Sequence, residues 1–169
     1  MSTATTPTLR RATDADAAAI RDVVAAAYGR YIPLLGRTPM PMLTDYDVAV
    51  REHEIWVLED DGSIVGIIQL IPEPDHLWIE NVAIVPSNQG RGLGRRLLAH
   101  AEDEARRLGL TEMGLLTNER YVENIAMYVR HGYRETHREP HLGTDLVYFR
   151  KALSLDVGRE GAVRGHRSA

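Results

Sequence analysis

The sequence predicts an α/β protein with a mixed, mostly antiparallel central sheet and helices on both of its faces. Three observations support this fold class. Three strand-like segments follow one another between Ile55 and Val85 with short turns between them, as in a run of hairpins. Segments of helical period then alternate with strands, as in β-α-β crossovers. The chain has 169 residues, 44% of them hydrophobic, which fits one domain with a sizeable core.

The first third of the chain predicts one short strand and two helices. Leu9–Ala12 form the strand, and a helix capped by Thr13 then runs to about Tyr28 with its apolar residues at helical spacing. Residues 29–42 hold three prolines and two glycines, which predicts a loop with one helical turn at most. A short second helix follows, with Thr44 or Asp45 as its cap.

The middle of the chain predicts three strands joined by turns. Ile55–Glu59 and Ser63–Ile71 flank Asp60-Asp61-Gly62, which is a hairpin turn signal. Residues 72–75 contain two prolines and predict the next turn, and Leu77–Val85 is the third strand. The segment HLWIENVAIV is nearly all apolar, which predicts that this strand is buried on both faces.

The last part of the chain predicts two helices and three strands. A long helix follows a glycine-rich segment and runs to about Leu108, and a strand covers Thr111–Thr117. A second helix covers Val122–His131, and the strands Tyr133–His137 and Leu142–Leu153 complete the set. The predicted element order is β-α-α-β-β-β-α-β-α-β-β. We expect one domain over residues 1–153 and a frayed tail over residues 154–169.

Composition restricts the classes of function. With 20 basic and 24 acidic residues, the net charge of −4 gives no general reason to bind nucleic acid or a membrane. The absence of cysteine excludes disulfides, thiolate zinc sites and a cysteine nucleophile. Pro140 argues against a helical metal site at His137 and His141, so we expect no metal. We find no signal-peptide layout and no segment with the roughly 18 apolar residues of a spanning helix, and we expect a cytoplasmic protein.

The strongest signal is the segment Val85–Gly94, VPSNQGRGLG, which lies between a strand and a helix. Glycines let the backbone approach a ligand, and the unpaired N–H groups of a helix start favour an anion. Arg91, Arg95 and Arg96 add positive charge, so a pyrophosphate is the ligand that we expect this segment to bind. A P-loop would need Gly-Lys-Ser/Thr here, and a dinucleotide fingerprint would need G-x-G-x-x-G instead of the G-x-G-x-G spacing that is present.

The spacing Gln89-x-x-Gly92-x-Gly94 resembles the acyl-CoA-binding motif of the GNAT superfamily of N-acyltransferases. A second segment, NIAMYVRHGY from Asn124 to Tyr133, resembles the GNAT segment in which an Asn and a Tyr four residues apart precede Gly-Phe or Gly-Tyr. The resemblance covers roughly residues 9–153. Before Ile55 it holds only in outline, because the acceptor-binding part of this superfamily varies widely.

The resemblance implies that acetyl-CoA is the cosubstrate. The backbone of Val82–Ile84 would pair with the pantetheine arm as an added strand, beside a bulge at Asn81. The segment Gln89–Arg95 would hold the pyrophosphate, and Asn124 would contact the arm. The predicted cofactor-binding residues are Val82, Ala83, Ile84, Gln89, Gly90, Arg91, Gly92, Leu93, Gly94, Arg95 and Asn124.

Two residues are candidates for the chemistry of acyl transfer. Tyr128 would by resemblance lie near the thioester sulfur and protonate the leaving thiolate; the alternative is a core tyrosine whose hydroxyl finds a backbone partner. Glu80 would take the proton of the acceptor amine, directly or through a water, while backbone N–H groups of the bulged strand would stabilise the oxyanion. The alternative for Glu80 is a carboxylate paired with a neighbouring strand or with the Arg37 loop.

The predicted function is transfer of an acetyl group from acetyl-CoA to an amine of a small molecule or peptide. Two other readings stay open: a non-catalytic acyl-CoA-binding or sensing domain, and, with less support, a nucleotide-binding oxidoreductase. The segments 30–42 and 137–141 are candidate walls of the acceptor site. Asp45 and Asp47 would favour a cationic amine unless they only cap a helix or face solvent. A homodimer is compatible with the resemblance, and the sequence does not test it.

Overall fold

A computed structural model describes residues 5–154, in which seven strands form one sheet with five α-helices packed against it. The strands are β1 Thr8–Arg11, β2 Glu54–Asp60, β3 Ser63–Pro72, β4 Leu77–Ile84, β5 Glu112–Asn118, β6 Arg134–His141 and β7 Thr144–Ala152. The helices are α1 Ala17–Tyr28, α2 Tyr31–Leu35, α3 Tyr46–Glu52, α4 Leu93–Arg107 and α5 Val122–Arg130.

The observed elements follow the predicted order, with two differences. The proline-rich loop holds a complete short helix, α2, in addition to a 3-10 turn at Met40–Leu43. Strand β6 continues through Pro140 to His141, although it was expected to end at His137. This is possible because β6 is an edge strand, where a proline costs no ladder hydrogen bond. The predicted tail lies almost entirely outside the described residues.

The strand order across the sheet is β1-β2-β3-β4-β5-β7-β6. Every neighbouring pair is antiparallel except β4 and β5, which are parallel and joined by the crossover through α4. This confirms the predicted mixed, mostly antiparallel sheet. Among residues 5–154, no helix is long and apolar enough to cross a membrane.

Two hydrophobic cores lie on opposite faces of the sheet, as predicted for helices on both sides. Helices α4 and α5 contribute to one core, and helices α1 and α3 contribute to the other. The consecutive residues Ile67 and Ile68 of β3 are both fully buried, one in each core. A strand covered on both faces therefore has a continuous run of apolar residues, because alternate side chains pack into different cores.

The sheet opens between β4 and β5, and this opening positions the functional site. The two strands pair over three residues only, ending at Ile79 opposite Leu115. Beyond that point β4 stays with β3 as far as Ile84, while β5 stays with β7 as far as Asn118. The carboxyl ends of the two parallel strands therefore diverge and leave a cleft.

A β-bulge lies at the start of this cleft. Ile79 is opposite Leu70 and Asn81 is opposite Gln69, so Glu80 has no partner on β3. An extra residue of this kind bends the strand and increases its twist. The prediction of a strand buried on both faces is wrong at Glu80, whose side chain is exposed because the bulge lies where β5 no longer covers β4.

Candidate active site

A cavity of about 260 Å³ occupies the cleft between β4 and β5. Strand β4 lines it with the residues around the bulge, and β5 lines it with its last three residues. Helix α1, the segment from Arg37 to Tyr46 and helix α5 close the remaining sides. Both residues predicted to carry the chemistry, Glu80 and Tyr128, line this cavity.

Glu80 lies on the cavity wall with its carboxylate accessible. Its Oε2 accepts a hydrogen bond from the indole Nε1 of Trp78 at 2.8 Å. Within residues 5–154 it forms no ion pair, and Arg37, which was considered as its partner, does not contact it through a salt bridge. The bound indole orients the carboxylate and leaves lone pairs free to accept a proton.

Asn81, the residue after the bulge, is buried and fully engaged. Its Oδ1 accepts a hydrogen bond from the hydroxyl of Tyr28 at 2.7 Å, and its Nδ2 donates to the hydroxyl of Tyr46 at 3.2 Å. The Tyr46 hydroxyl donates in turn to the carbonyl of Pro41 at 2.7 Å. This chain of hydrogen bonds ties α1 and the loop before α3 to the bulge and fixes the floor of the cavity.

Tyr128 is buried on α5, and its ring packs against Tyr133 and Phe149 with centroid separations of 5.9 and 6.0 Å. Within the described chain its hydroxyl has no hydrogen-bond partner, so the alternative of a core tyrosine bonded to backbone is not what the structure shows. Burial raises the pKa of Tyr128 well above the usual tyrosine value. The hydroxyl is therefore protonated at neutral pH, and Tyr128 is one of the residues that line the cavity.

The edge of β4 beyond the bulge has no neighbouring strand on its β5 side, because β4–β5 pairing ends at Ile79. The N–H of Val85 donates to Val65 on β3 at 2.9 Å, whereas the carbonyls of Val82 and Ile84 accept hydrogen bonds from side chains. The donors are the Tyr28 hydroxyl at 3.3 Å and the Gln89 amide at 3.2 Å. An edge without a neighbouring strand is a place where an extended ligand can add as a strand, and Val82, Ala83 and Ile84, which were predicted for this role, lie on it.

The glycine-rich segment forms an open anion cradle before α4. Gly90 and Gly92 have φ values of 80° and 75°, a conformation that favours glycine, and no atom lies within 4 Å of the Cβ that either would carry. The first intrahelical bond runs from the Arg96 N–H to the Gly92 carbonyl at 3.1 Å. The N–H groups of Leu93, Gly94 and Arg95 precede this bond and are free to meet a phosphate.

The three arginines of this segment have different partners. Arg91 pairs with Asp60 at 2.8 Å on the β2–β3 hairpin, and Arg96 donates to the carbonyl of Pro7. The exposed Arg95 has neither an ion pair nor a side-chain hydrogen bond within the described residues. Of the three, Arg95 is thus the cation that a pyrophosphate would meet without breaking a contact.

Asn124 lies on α5 one turn before Tyr128, so both side chains are on one helix face. Its side chain is half-buried. Helix α5 approaches the start of α4 closely, because a Cβ on Gly94 would lie 3.2 Å from the sulfur of Met127. The absence of a side chain at Gly94 therefore allows α5 to pack close to the start of α4.

The other candidates take separate places. Asp45 caps α3 by accepting from the N–H groups of Asp47 and Val48, and Asp47 pairs with Arg21 at 3.0 Å, so neither belongs to the cavity. Of the two suggested acceptor walls, Arg37 and His141 line the cavity, while His137 stacks on Tyr148 in a neighbouring groove. No group of three potential metal-ligating side chains occurs in residues 5–154.

The sequence pattern of the acetyltransferase (GNAT) family matches residues 20–133, which is more than half of the chain. The chain belongs to the GNAT family of acetyltransferases. This match includes the bulge, the anion cradle and Tyr128, and it confirms the family and the enzyme class, N-acetyltransferase, predicted from the sequence.

GNAT relatives with printed functions and structures extend this result. The chain is 31% identical to an uncharacterised N-acetyltransferase, YjgM of Escherichia coli, over 75% of this chain and 81% of that protein. It is 30% identical to the S-(2-succino)cysteine N-acetyltransferase of Bacillus subtilis, over 89% of this chain and 99% of that protein. A GNAT acetyltransferase from Elizabethkingia anophelis, solved with acetyl-CoA bound, shares the fold at a TM-score of 0.67 and 18% identity, covering 88% of this chain and 99% of that one.

Sequence reasoning missed the tyrosines that form the acceptor side of the cavity. Tyr28, Tyr46 and Tyr121 all line it, and Tyr121 stacks on Tyr31 with centroids 4.0 Å apart. Burial raises the pKa of Tyr121 to about 12, so it too is protonated at neutral pH. Tyr28 lies within the apolar period of α1, where a tyrosine reads as a core residue, and no local signal distinguishes it from one.

Proposed function

We propose that this protein transfers the acetyl group of acetyl-CoA to the amine of a small acceptor by direct attack on the thioester. The observation that supports this most strongly is the position of Glu80 and Tyr128 on one cavity, at the point where β4 and β5 separate. A carboxylate without a cationic partner and a protonated tyrosine are the base and the acid that the reaction needs.

The chain offers a binding position for each part of acetyl-CoA. The pyrophosphate would lie on the N–H groups that open α4, near Arg95, because Gly90 and Gly92 leave open space there. The pantetheine arm would extend along Val82–Ile84 as an added strand and pass Asn124 on the opposite wall. The thioester would then reach the cleft beside the bulge.

Acyl transfer requires the acceptor amine in its neutral form. Most alkyl amines are protonated at neutral pH, with pKa values of ~10. The Glu80 carboxylate accepts one proton from the amine, directly or through a water, and the nitrogen then forms a bond to the thioester carbonyl carbon. Backbone N–H groups of the bulge stabilise the negative charge that develops on the carbonyl oxygen.

The C–S bond then breaks, and the leaving thiolate takes the proton of the Tyr128 hydroxyl. The hydroxyl is protonated at neutral pH, so its proton is present when the thiolate forms. The nitrogen loses its second proton as the amide forms, and this proton passes through solvent to the tyrosinate and restores the Tyr128 hydroxyl. The products are an N-acetyl amine and CoA, with the first amine proton on Glu80, which releases it to solvent.

The proposal is tested first by ligand binding and then by turnover. Acetyl-CoA or CoA at ~100 times the dissociation constant adds about 2.7 kcal/mol to the free energy of unfolding, which raises Tm by roughly 5–10 °C. NAD and ATP should give no such shift. Amine-dependent release of CoA thiol then separates an enzyme from a non-catalytic acyl-CoA-binding domain, for which acetyl-CoA binds and no tested amine increases thiol release.

A further inference from the structure

We propose that the acceptor carries a carboxylate as well as its amine, and that Arg37 is the residue that binds this carboxylate. The inference rests on the proposed function, since it concerns the acceptor side of the same cavity. It names a substrate class, a small amino acid or a similar amino carboxylate, and a specificity residue for it.

The charges that line the cavity support this assignment. Among its described lining residues, Arg37 supplies the one guanidinium and Glu80 the one carboxylate. Glu80 is placed to meet the acceptor ammonium, so Arg37 meets whatever the other end of the acceptor carries. A cavity with one fixed charge of each sign is complementary to a zwitterion.

Arg37 has no partner within the described chain, unlike the arginines beside it. Arg30 pairs with Glu123 at 3.3 Å, and Arg120 donates to the carbonyl of Leu34 at 2.7 Å. Arg37 makes neither an ion pair nor a side-chain hydrogen bond in residues 5–154. A half-buried guanidinium with a planar set of donors and no protein acceptor matches the fork of a carboxylate.

Local backbone structure directs Arg37 to this position. Helix α2 ends when the N–H of Gly36 bonds to the carbonyl of Ile32 at 2.9 Å, and Gly36 adopts a φ of 69°. Gly36 reverses the chain direction at the end of the helix, and Arg37 follows it into the cavity lining.

A second nitrogen on the same cavity also lacks a partner. The Nε2 atom of His141 is buried and forms no hydrogen bond within the described residues. A buried polar atom without a protein partner calls for a ligand or a water.

The size of the cavity suits a small acceptor. Its volume of about 260 Å³ lies below the range of ~300–1,000 Å³ that holds drug-sized ligands. An amino acid fits this space, with its amine toward Glu80 and its carboxylate toward Arg37.

The test compares L-α-amino acids with their carboxamides as acceptors, at saturating acetyl-CoA, by release of CoA thiol. The variants are Arg37→Ala, Arg37→Lys and, as a charge-matched control, Arg51→Ala, an exposed arginine on α3 outside the cavity lining. Each acceptor is compared with itself across the variants, so differences in amine pKa cancel.

We expect the wild-type protein to prefer the acids. Arg37→Ala should raise KM for the acids about 10- to 100-fold, the loss expected for a charged hydrogen-bonded pair, with kcat nearly unchanged. KM for the amides should change less than about threefold, and Arg37→Lys should recover part of the loss because it keeps the charge but not the fork. Arg51→Ala should behave as the wild type.

Two results would overturn the inference. These are equal effects of Arg37→Ala on acids and amides, and no acetylation of any acid by a protein that acetyl-CoA does stabilise. Thermal shift with acetyl-CoA, measured on every variant, separates these results from failure of the proposed function. If acetyl-CoA does not stabilise the wild type, the proposed function and this inference are both refuted.

Discussion

Replacing Tyr128 with phenylalanine removes one hydroxyl and keeps the ring that packs against Tyr133 and Phe149. The hydroxyl has no hydrogen bond to the described chain, so no protein contact is lost and no partner is left unsatisfied. We expect the free energy of unfolding to change by less than about 0.5 kcal/mol. Binding of acetyl-CoA should change little, because the proposed role of the hydroxyl is to protonate the leaving sulfur.

The expected effect is on kcat. General acid catalysis contributes about 10²- to 10⁴-fold. A thiol with a pKa of ~8.5 leaves readily, so the contribution should be at the lower end, about 10²-fold or ~2.7 kcal/mol in activation free energy. Since burial raises the pKa of Tyr128, ionisation of this residue should not lower kcat of the wild type below pH ~10.

Tyr133→Phe is the matched control. Its hydroxyl is also buried without a partner in the described residues, and its ring lies 5.9 Å from that of Tyr128, but it does not line the cavity. Steady-state thiol release should show full activity for Tyr133→Phe and the loss for Tyr128→Phe. Equal kcat values in the two variants, whether both reduced or both normal, would refute the assignment of Tyr128 as the acid.

Three further predictions use the same structure. Glu80→Gln should lower kcat at pH 7 by about 10²-fold or more, and the loss should shrink as pH approaches the acceptor pKa, because a free amine needs no base; a loss independent of pH would contradict this role. Gly92→Ala should cost about 1–2 kcal/mol of stability by forcing alanine to a φ of 75°, and should weaken CoA binding in a titration; Gly143→Ala, at a φ of 82° with equally open space, should match the stability cost and leave CoA binding intact. Asp16→Asn should destabilise by about 1–2 kcal/mol at pH 7, since the Arg10 guanidinium lowers the pKa of Asp16 to about 2, below its usual value. That stabilisation is present above pH ~4 and is lost as pH falls toward 2. Denaturant unfolding should therefore give the wild type and Asp16→Asn the same free energy of unfolding at low pH.

The fold was largely predictable because its determinants are local. Turn residues mark the hairpins, and helical period marks α1, α4 and α5. The anion cradle was predictable for a related reason: it is built from backbone, and Gly90 and Gly92 are needed where φ is positive.

The acceptor side was not predictable, because its residues meet only through the tertiary fold. Tyr28 on α1 and Tyr46 on α3 reach Asn81 from different elements, and nothing in the spacing of the three indicates a hydrogen-bonded chain. The significance of Arg37 depends on its lack of a partner. Pairing among neighbouring arginines is decided by side-chain geometry, which the sequence does not encode at short range.

The bulge explains why Glu80, the proposed base, lies at the cleft. Glu80 has no partner in the β3–β4 register. Pairing between β4 and β5 ends at Ile79, the residue immediately before it. Because a bulge bends its strand, one inserted residue both directs β4 away from β5 and removes Glu80 from the ladder, where its side chain would otherwise be packed against a neighbour. Asn81 then fixes the bent strand through Tyr28 and Tyr46, so the hydrogen bonds that hold the acceptor wall also hold the cleft open. The polar pair in the middle of this apolar strand therefore has a structural reason: Asn81 holds the bent strand in place, and Glu80 is the residue that the bulge exposes.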